Sequence, residues 1–215
     1  MTGMSDGQQV SSWTDSSGNG LTVARTASAS VVYKANIKNG LPVLRWTQSP
    51  TSTALTKSSV ASSLLTDGTW CAIGVFCKNG ATTDAGFVAW TQQSANNQMS
   101  GWIGNSSSLY FDFGKEDGTG RINVAQPAGW ATNWHIMAWR RDAGNIQKIL
   151  DQTTELVSAS RSAVPSGSSV WKIGNTNSGI NPMVGDLAEI VVYKSAVGAT
   201  DYANLIAYYK TLYGI

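Results

Sequence analysis

Apolar and polar positions along the chain alternate in short runs with a period of two. The runs recur about every 8–12 residues and are separated by Gly, Asn, Ser, Asp and Pro. The plainest run is Trp70–Lys78. Cys71, Ile73, Val75 and Cys77 share one face, and Trp70, Ala72, Gly74 and Phe76 share the other. Both faces are apolar, so this strand is expected at the centre of a sheet with a cover on each side. Leu109–Phe113 reads differently: Leu109, Phe111 and Phe113 alternate with Tyr110 and Asp112, the pattern of a half-exposed strand. Further strands are predicted over Leu21–Arg25, Leu41–Trp46, Gly86–Thr91, Met99–Gly104, Arg121–Ala125, Trp134–Arg141, Ile146–Leu150, Val170–Gly174 and Leu187–Tyr193. Asn39-Gly40, Asp117-Gly118 and Asp142–Asn145 supply turns between them. One helix is predicted, over Thr200–Leu212. There Tyr202, Leu205, Ile206, Tyr209 and Leu212 recur at spacings of three and four, and Gly214 is a natural stop. The pattern specifies an all-β sandwich or barrel with one docked C-terminal helix, residues 1–215 forming one domain.

Composition narrows the partners. Asp, Glu, Lys and Arg make up 13% of the 215 residues, against about 25% in an ordinary globular protein, and the net charge is +2. The densest basic spot is Arg140-Arg141, so the clustered cations that release counterions from a nucleic acid are missing. No apolar run approaches the length of a membrane span, and Met1 to Val10 lack the apolar stretch of a secretory leader. Nine tryptophans are expected mainly in the core, where aromatic rings dominate buried area. Cys71 and Cys77 lie on one strand, roughly 20 Å apart at about 3.3 Å per residue, so they are expected to be free thiols.

Three segments carry a resemblance: VSSWTDSSGNG (Val10–Gly20) with KNGLPVLRW (Lys38–Trp46); NWHIMAWRRDAGN (Asn133–Asn145); and LAEIVVY (Leu187–Tyr193) with the closing AYYKTLYGI (Ala207–Ile215). Together they resemble the opening, middle and closing signatures of the concanavalin A-like lectin/glucanase superfamily, laminin-G-like branch. The resemblance implies a two-sheet antiparallel jelly-roll sandwich with a short C-terminal helix. That fold hosts lectins, hydrolases, adhesins and virion proteins, so the resemblance speaks to fold more than to function. In WTDSSGNG, Trp13 is expected to anchor the core while Asp15, Ser16 and Asn19 bond their own backbone in a tight turn. Such domains usually open with a strand ahead of this motif, and Met1–Gln9 does not read as one. An open sheet edge beside Leu187–Tyr193 is therefore expected, covered by a neighbouring chain or by another segment, as in β-augmentation.

Catalytic chemistry finds little footing. Glycoside hydrolysis normally needs two carboxylates about 5–5.5 or about 6.5–9.5 Å apart. The three glutamates, Glu116, Glu155 and Glu189, fall in no Glu-x-Asp-x-x-Glu strand. Glu189 is expected to face solvent or pair with a cation. His135, the single histidine, sits within a strand with no nucleophile elbow in the chain, and is expected to pack or face solvent. One histidine and two cysteines on one strand do not make a zinc site. The resemblance implies calcium as a possible cofactor, with Asp84, Asp112, Asp117 and Asp142 as loop-placed candidate ligands. Sugar recognition would need an exposed aromatic with amide neighbours. Trp90 with Gln92 and Asn97, and Trp102 with Asn105, supply two such sets.

Three readings follow. The first is a non-catalytic virion or cell-surface domain that works in assembly or attachment, with other protein subunits and host-surface glycans as partners and neither nucleic acid nor membrane insertion involved. The second is a soluble carbohydrate-binding module. The third is a divergent glycoside hydrolase. Either of the first two places the chain outside the cell or on a virion surface.

Overall fold

The computed structural model describes residues 3–26, 30–47, 54–61, 68–80, 85–91, 98–105, 107–165, 168–175 and 182–215. At 59–61, 85, 88–91, 98, 105, 168 and 169 it describes the backbone alone. Strands follow one another as β1 (Ser12–Thr14), β2 (Thr22–Arg25), β3 (Val31–Lys38), β4 (Leu41–Trp46), β5 (Leu55–Ala61), β6 (Trp70–Cys77), β7 (Ala85–Thr91) and β8 (Gln98–Asn105). They continue as β9 (Ser108–Gly114), β10 (Arg121–Ala125), β11 (Trp134–Asp142), β12 (Ile146–Asp151), β13 (Thr154–Ser160), β14 (Ser168–Ile173) and β15 (Gly185–Tyr193). Helix α1 (Ala199–Tyr213) closes the chain. The strands form two antiparallel sheets. One has eight strands in the order β1-β2-β5-β14-β7-β8-β9-β10, the other seven in the order β13-β12-β11-β6-β15-β4-β3.

The sheets are locked face to face by reciprocal notches. Gly74 of β6 leaves a gap that Phe87 of β7 enters; a Cβ at Gly74 would lie 2.0 Å from the Phe87 ring. Gly101 of β8 leaves a gap for Trp139 of β11, at 2.7 Å by the same measure. Between the notches Phe87 stacks on Trp139 at 5.1 Å, Phe76 meets Phe87 at 5.1 Å, and Trp130 closes edge-on against Phe76 at 5.4 Å. Offset and edge-on rings at these spacings add to the area they bury.

A second apolar layer covers the far side of the seven-stranded sheet. Cys71, Ile73, Val75, Ile136 and Ala138 point outward from β6 and β11, and Tyr202, Ile206, Tyr209 and Tyr213 of α1 pack on them. Strand β6 is thus buried at every position, as its two apolar faces require. The helix ends where Gly214 takes φ 61°, ψ 50° and its N–H bonds back to the Lys210 carbonyl. Cys71 and Cys77 are both free and buried.

Polar groups fasten the ends of the sandwich. Arg141 is fully buried; it donates to the Ala163 carbonyl (2.7 Å) and to Asn145 Oδ1 (2.6 Å), and its guanidinium lies 4.5 Å from the Phe113 ring centre. It ties the segment that crosses from β13 to β14 onto the β11–β12 turn. Burial pushes its pKa down from the ordinary arginine value. His135 packs as expected, its ring 4.4 Å from Trp130 and its Nδ1 3.2 Å from Asp151 Oδ2. In the first loop Asp15 Oδ1 accepts the Ser17 N–H at 2.8 Å, a local turn as the sequence predicts.

Two expectations need correction. Strand β15 has partners on both sides from its own chain: Leu187 faces Leu44 of β4, and Val191 faces Ile73 of β6. The segment read as no strand instead seals an edge. Gly7 and Val10 donate to the Tyr33 and Val31 carbonyls of β3, and Tyr33 donates to Gln8. The chain then crosses to the other sheet, where Arg25 of β2 donates to the Ser11 carbonyl. No second chain is needed at that edge. Glu189 is half-buried, and among the described residues it pairs with no cation. It accepts a hydrogen bond from the Tyr213 hydroxyl at 3.3 Å, and burial pushes its pKa up while that bond opposes the shift.

Four strands went unread. β3 and β13 are the two edges of the seven-stranded sheet. They carry Lys34, Lys38 and Glu155, charges of the sort that protect edges and blur alternation. Asn36, at φ 55°, further breaks the period of β3. β5 (LTKSSVA) is largely polar, and β1 is three residues inside a turn-rich motif.

Candidate functional site

The β9–β10 hairpin and its neighbour β8 build a polar and aromatic cluster on the outer face of the eight-stranded sheet. Their register sets Arg121 and Ser100 on either side of Asp112, and Asn123 and Trp102 on either side of Tyr110. Alternation that sends Met99, Phe111, Phe113 and Ile122 into the core sends this other set outward.

The contacts close into a ring. Trp102 Nε1 donates to Ser100 Oγ at 2.9 Å, and Ser100 Oγ donates to Asp112 Oδ2 at 3.3 Å. Arg121 grips Asp112 with two donors, Nε to Oδ1 at 2.5 Å and Nη2 to Oδ2 at 2.8 Å. The Arg121 guanidinium lies 4.9 Å from the Tyr110 ring centre, and Tyr110 meets Trp102 edge-on at 6.4 Å. Burial pushes the Asp112 carboxyl up from the ordinary carboxylate value, and the hydrogen bonds and charge of Arg121 oppose that shift. Its side chain has no exposure, whereas 29% of the Arg121 side chain remains open. Tyr110 is half-buried and Asn123 exposed. The face thus presents a phenol, an arginine edge and an amide over a fixed floor. These are hydrogen-bonding groups for hydroxyls beside an aromatic surface for C–H groups.

Trp102 belongs to this cluster, but not as an exposed platform. Its ring is 8% exposed and its N–H is given to Ser100, so it forms the floor and Tyr110 takes the outer position. Trp90 is described by its backbone, which lies opposite Met99 and Trp171. Asn105, also described by backbone, lies opposite Ser108. Gln92, Asn97 and Asp84 lie outside the described residues. Asp112 is no loop ligand for calcium: it sits within β9, and both oxygens are engaged by Arg121, whose charge opposes a cation there. Asp117 accepts from the Thr119 backbone at 2.8 Å in an exposed turn, and Asp142 is bound by Arg140 and Lys148. Among the described residues no three His, Cys, Asp or Glu side chains converge as a metal-binding group. Ser100, Tyr110, Arg121 and Asn123 were not singled out in the sequence. The signal was present, since Tyr110 and Asp112 share the polar face of a period-two run, and a two-strand hairpin across Asp117-Gly118 brings Arg121 and Asn123 beside them.

No protein-family model matches the chain, and neither does any curated protein sequence. Solved structures do match. The CBM40 module of a Ruminococcus gnavus IT-sialidase, bound to α2,3 sialyllactose, is 12% identical with a TM-score of 0.53; the match covers 74% of this chain and 95% of that one. The binding domain of Paraclostridial Mosquitocidal Protein 1 is 11% identical with a TM-score of 0.55, covering 94% of this chain and 51% of that one. The K499G mutant of NanB sialidase from Streptococcus pneumoniae is 13% identical with a TM-score of 0.51, covering 69% of this chain. The shared fold is a jelly-roll β-sandwich. At these identities the likeness is one of fold, and this chain spans only 27% of the sialidase chain. No helix among the described residues is long and apolar enough to cross a membrane.

Proposed function

We propose that this chain is a non-catalytic recognition domain of concanavalin A-like architecture that binds glycans through the outer face of β8–β10. The observation that carries the reading is the ring of contacts around Tyr110 and Arg121, which offers an aromatic face and unclaimed donors on a rigid sheet. The similarity to a sialidase CBM40 module, itself bound to a sialyllactose, supports it. So does the state of several acidic side chains among the described residues: Asp186 is bound by Arg45, Glu155 by Lys148, and Glu189 by the Tyr213 hydroxyl beneath the helix. The wider setting we infer is display on a cell or virion surface, in company with other subunits.

The test is a glycan array followed by calorimetry on the best binders. Tyr110→Ala is expected to weaken binding at least about tenfold, about 1.4 kcal/mol, with an unchanged melting midpoint. Asn123→Ala is expected to weaken it less. Binding that survives Tyr110→Ala moves the site elsewhere, and release of reducing ends from a polysaccharide overturns the non-catalytic reading.

A further inference from the structure

The outer face of β8–β10 has more than a hydrogen-bonding character; it has a definite charge balance. Among the described residues Arg121, half-buried, is its one cation, and its charge is already answered by Asp112, gripped through Nε and Nη2. Glu116 also acts on Arg121 across the hairpin and raises its pKa further. The charges around the hairpin are Asp112, Glu116 and Asp117 against Lys115, Arg121 and Arg161, the last of which donates its Nε to the Arg121 carbonyl. Among the described residues, carboxylates and cations stand in equal number there.

A ligand carboxylate arriving here would meet no surplus of positive charge. It would lose its hydration while competing with Asp112 for the same guanidinium, and desolvating a charge without a free partner is unfavourable. A neutral sugar meets no such cost. Its hydroxyls can accept from Arg121 Nη1, the guanidinium nitrogen not engaged by Asp112, and bond the Asn123 amide, while its C–H face rests on Tyr110.

We infer that the ligands of this face are neutral hexopyranosides, and that sialylated or uronic glycans are disfavoured. This inference rests on the glycan-binding reading above and gives its ligand class; it also separates this chain from the sialidase module whose fold it shares.

The experiment compares matched probes on the intact chain: neutral oligosaccharides such as lactose, cellobiose and mannobiose against α2,3 sialyllactose and oligogalacturonate. Affinities are measured at about 0.05 M and about 0.5 M NaCl. Neutral probes are expected to bind at least about tenfold tighter than acidic ones, with less than about a twofold change across the salt range. Glu116→Lys, at an exposed position, is expected to narrow that preference by tilting the balance to positive. Asp112→Asn is expected to narrow it further, and the Glu116 variant keeps the test intact if that buried change unfolds the sheet. A preference for acidic probes, or an affinity that falls about tenfold with salt, overturns the inference and leaves the glycan-binding reading standing. Absence of binding to every probe and to the array removes the reading itself.

Discussion

The two outer faces of the sandwich have been put to opposite uses. The seven-stranded sheet turns Cys71, Ile73, Val75, Ile136 and Ala138 outward and covers them with α1, making a second core. The eight-stranded sheet turns Ser100, Tyr110, Asp112 and Arg121 outward, with Arg121 left 29% open at the side chain. Both faces follow from the same period-two backbone. Which face is sealed and which can meet a partner depends only on the chemistry of alternate positions. The helix-covered face contributes stability, and under the proposed reading the polar face would contribute specificity at little gain in stability.

The largest test of this division lies under the helix. Ile206→Ala is expected to cost about 2–5 kcal/mol in urea unfolding and to leave glycan affinity unchanged in the folded protein. Tyr110→Ala should do the reverse. Loss of binding in the Ile206 variant at temperatures where it stays folded would break the comparison, because the faces would then be coupled. Next comes the interface between the sheets. Gly74→Ala would place a methyl 2.0 Å from Phe87 and is expected to cost about 1–3 kcal/mol through overpacking.

A smaller effect is expected at Glu189. Its carboxyl ionises at a higher pH in the folded protein than the ordinary value of 4.5, because burial penalises the charge. The folded state therefore holds the proton longer than the unfolded chain, and stability falls as pH rises from that ordinary value through the raised one. Glu189→Gln keeps an acceptor for Tyr213. It is expected to raise the melting midpoint at neutral pH and to match the parent below the ordinary carboxylate range. A variant that is less stable at neutral pH would show that the carboxylate contributes more through its bond to Tyr213 than it loses through burial. The smallest effect concerns Cys71, whose thiol is pushed up to about 12 by burial beneath α1. It is expected to resist a thiol-reactive maleimide at neutral pH until the protein unfolds, and fast labelling would mean that the helix lifts readily.

The sequence pattern carried the two-faced β6, the strand β9 and the helix almost to their observed ends, although β9 is more buried than its alternation predicts. Each of these has a strong period, and burial enforces it. β3 and β13, the edges of the seven-stranded sheet, were not legible because their charges break the apolar pattern that marks a strand. The candidate site was half legible. Trp102 and Asp112 were both singled out, one as a sugar platform and one as a calcium ligand. Their joint membership of one ring depends on cross-strand register, which no single strand reveals. Arg121, nine residues from Asp112 in sequence, becomes its partner only once the hairpin is drawn.

The opening segment has a mechanical consequence. Residues 7 to 10 lie along β3, and the next few join β2, so the same short stretch is stitched into both layers. Tension applied at that end would have to peel one layer and drag the other at once. For a module that holds on to something while being pulled, such a strap would spread the load before either sheet began to open.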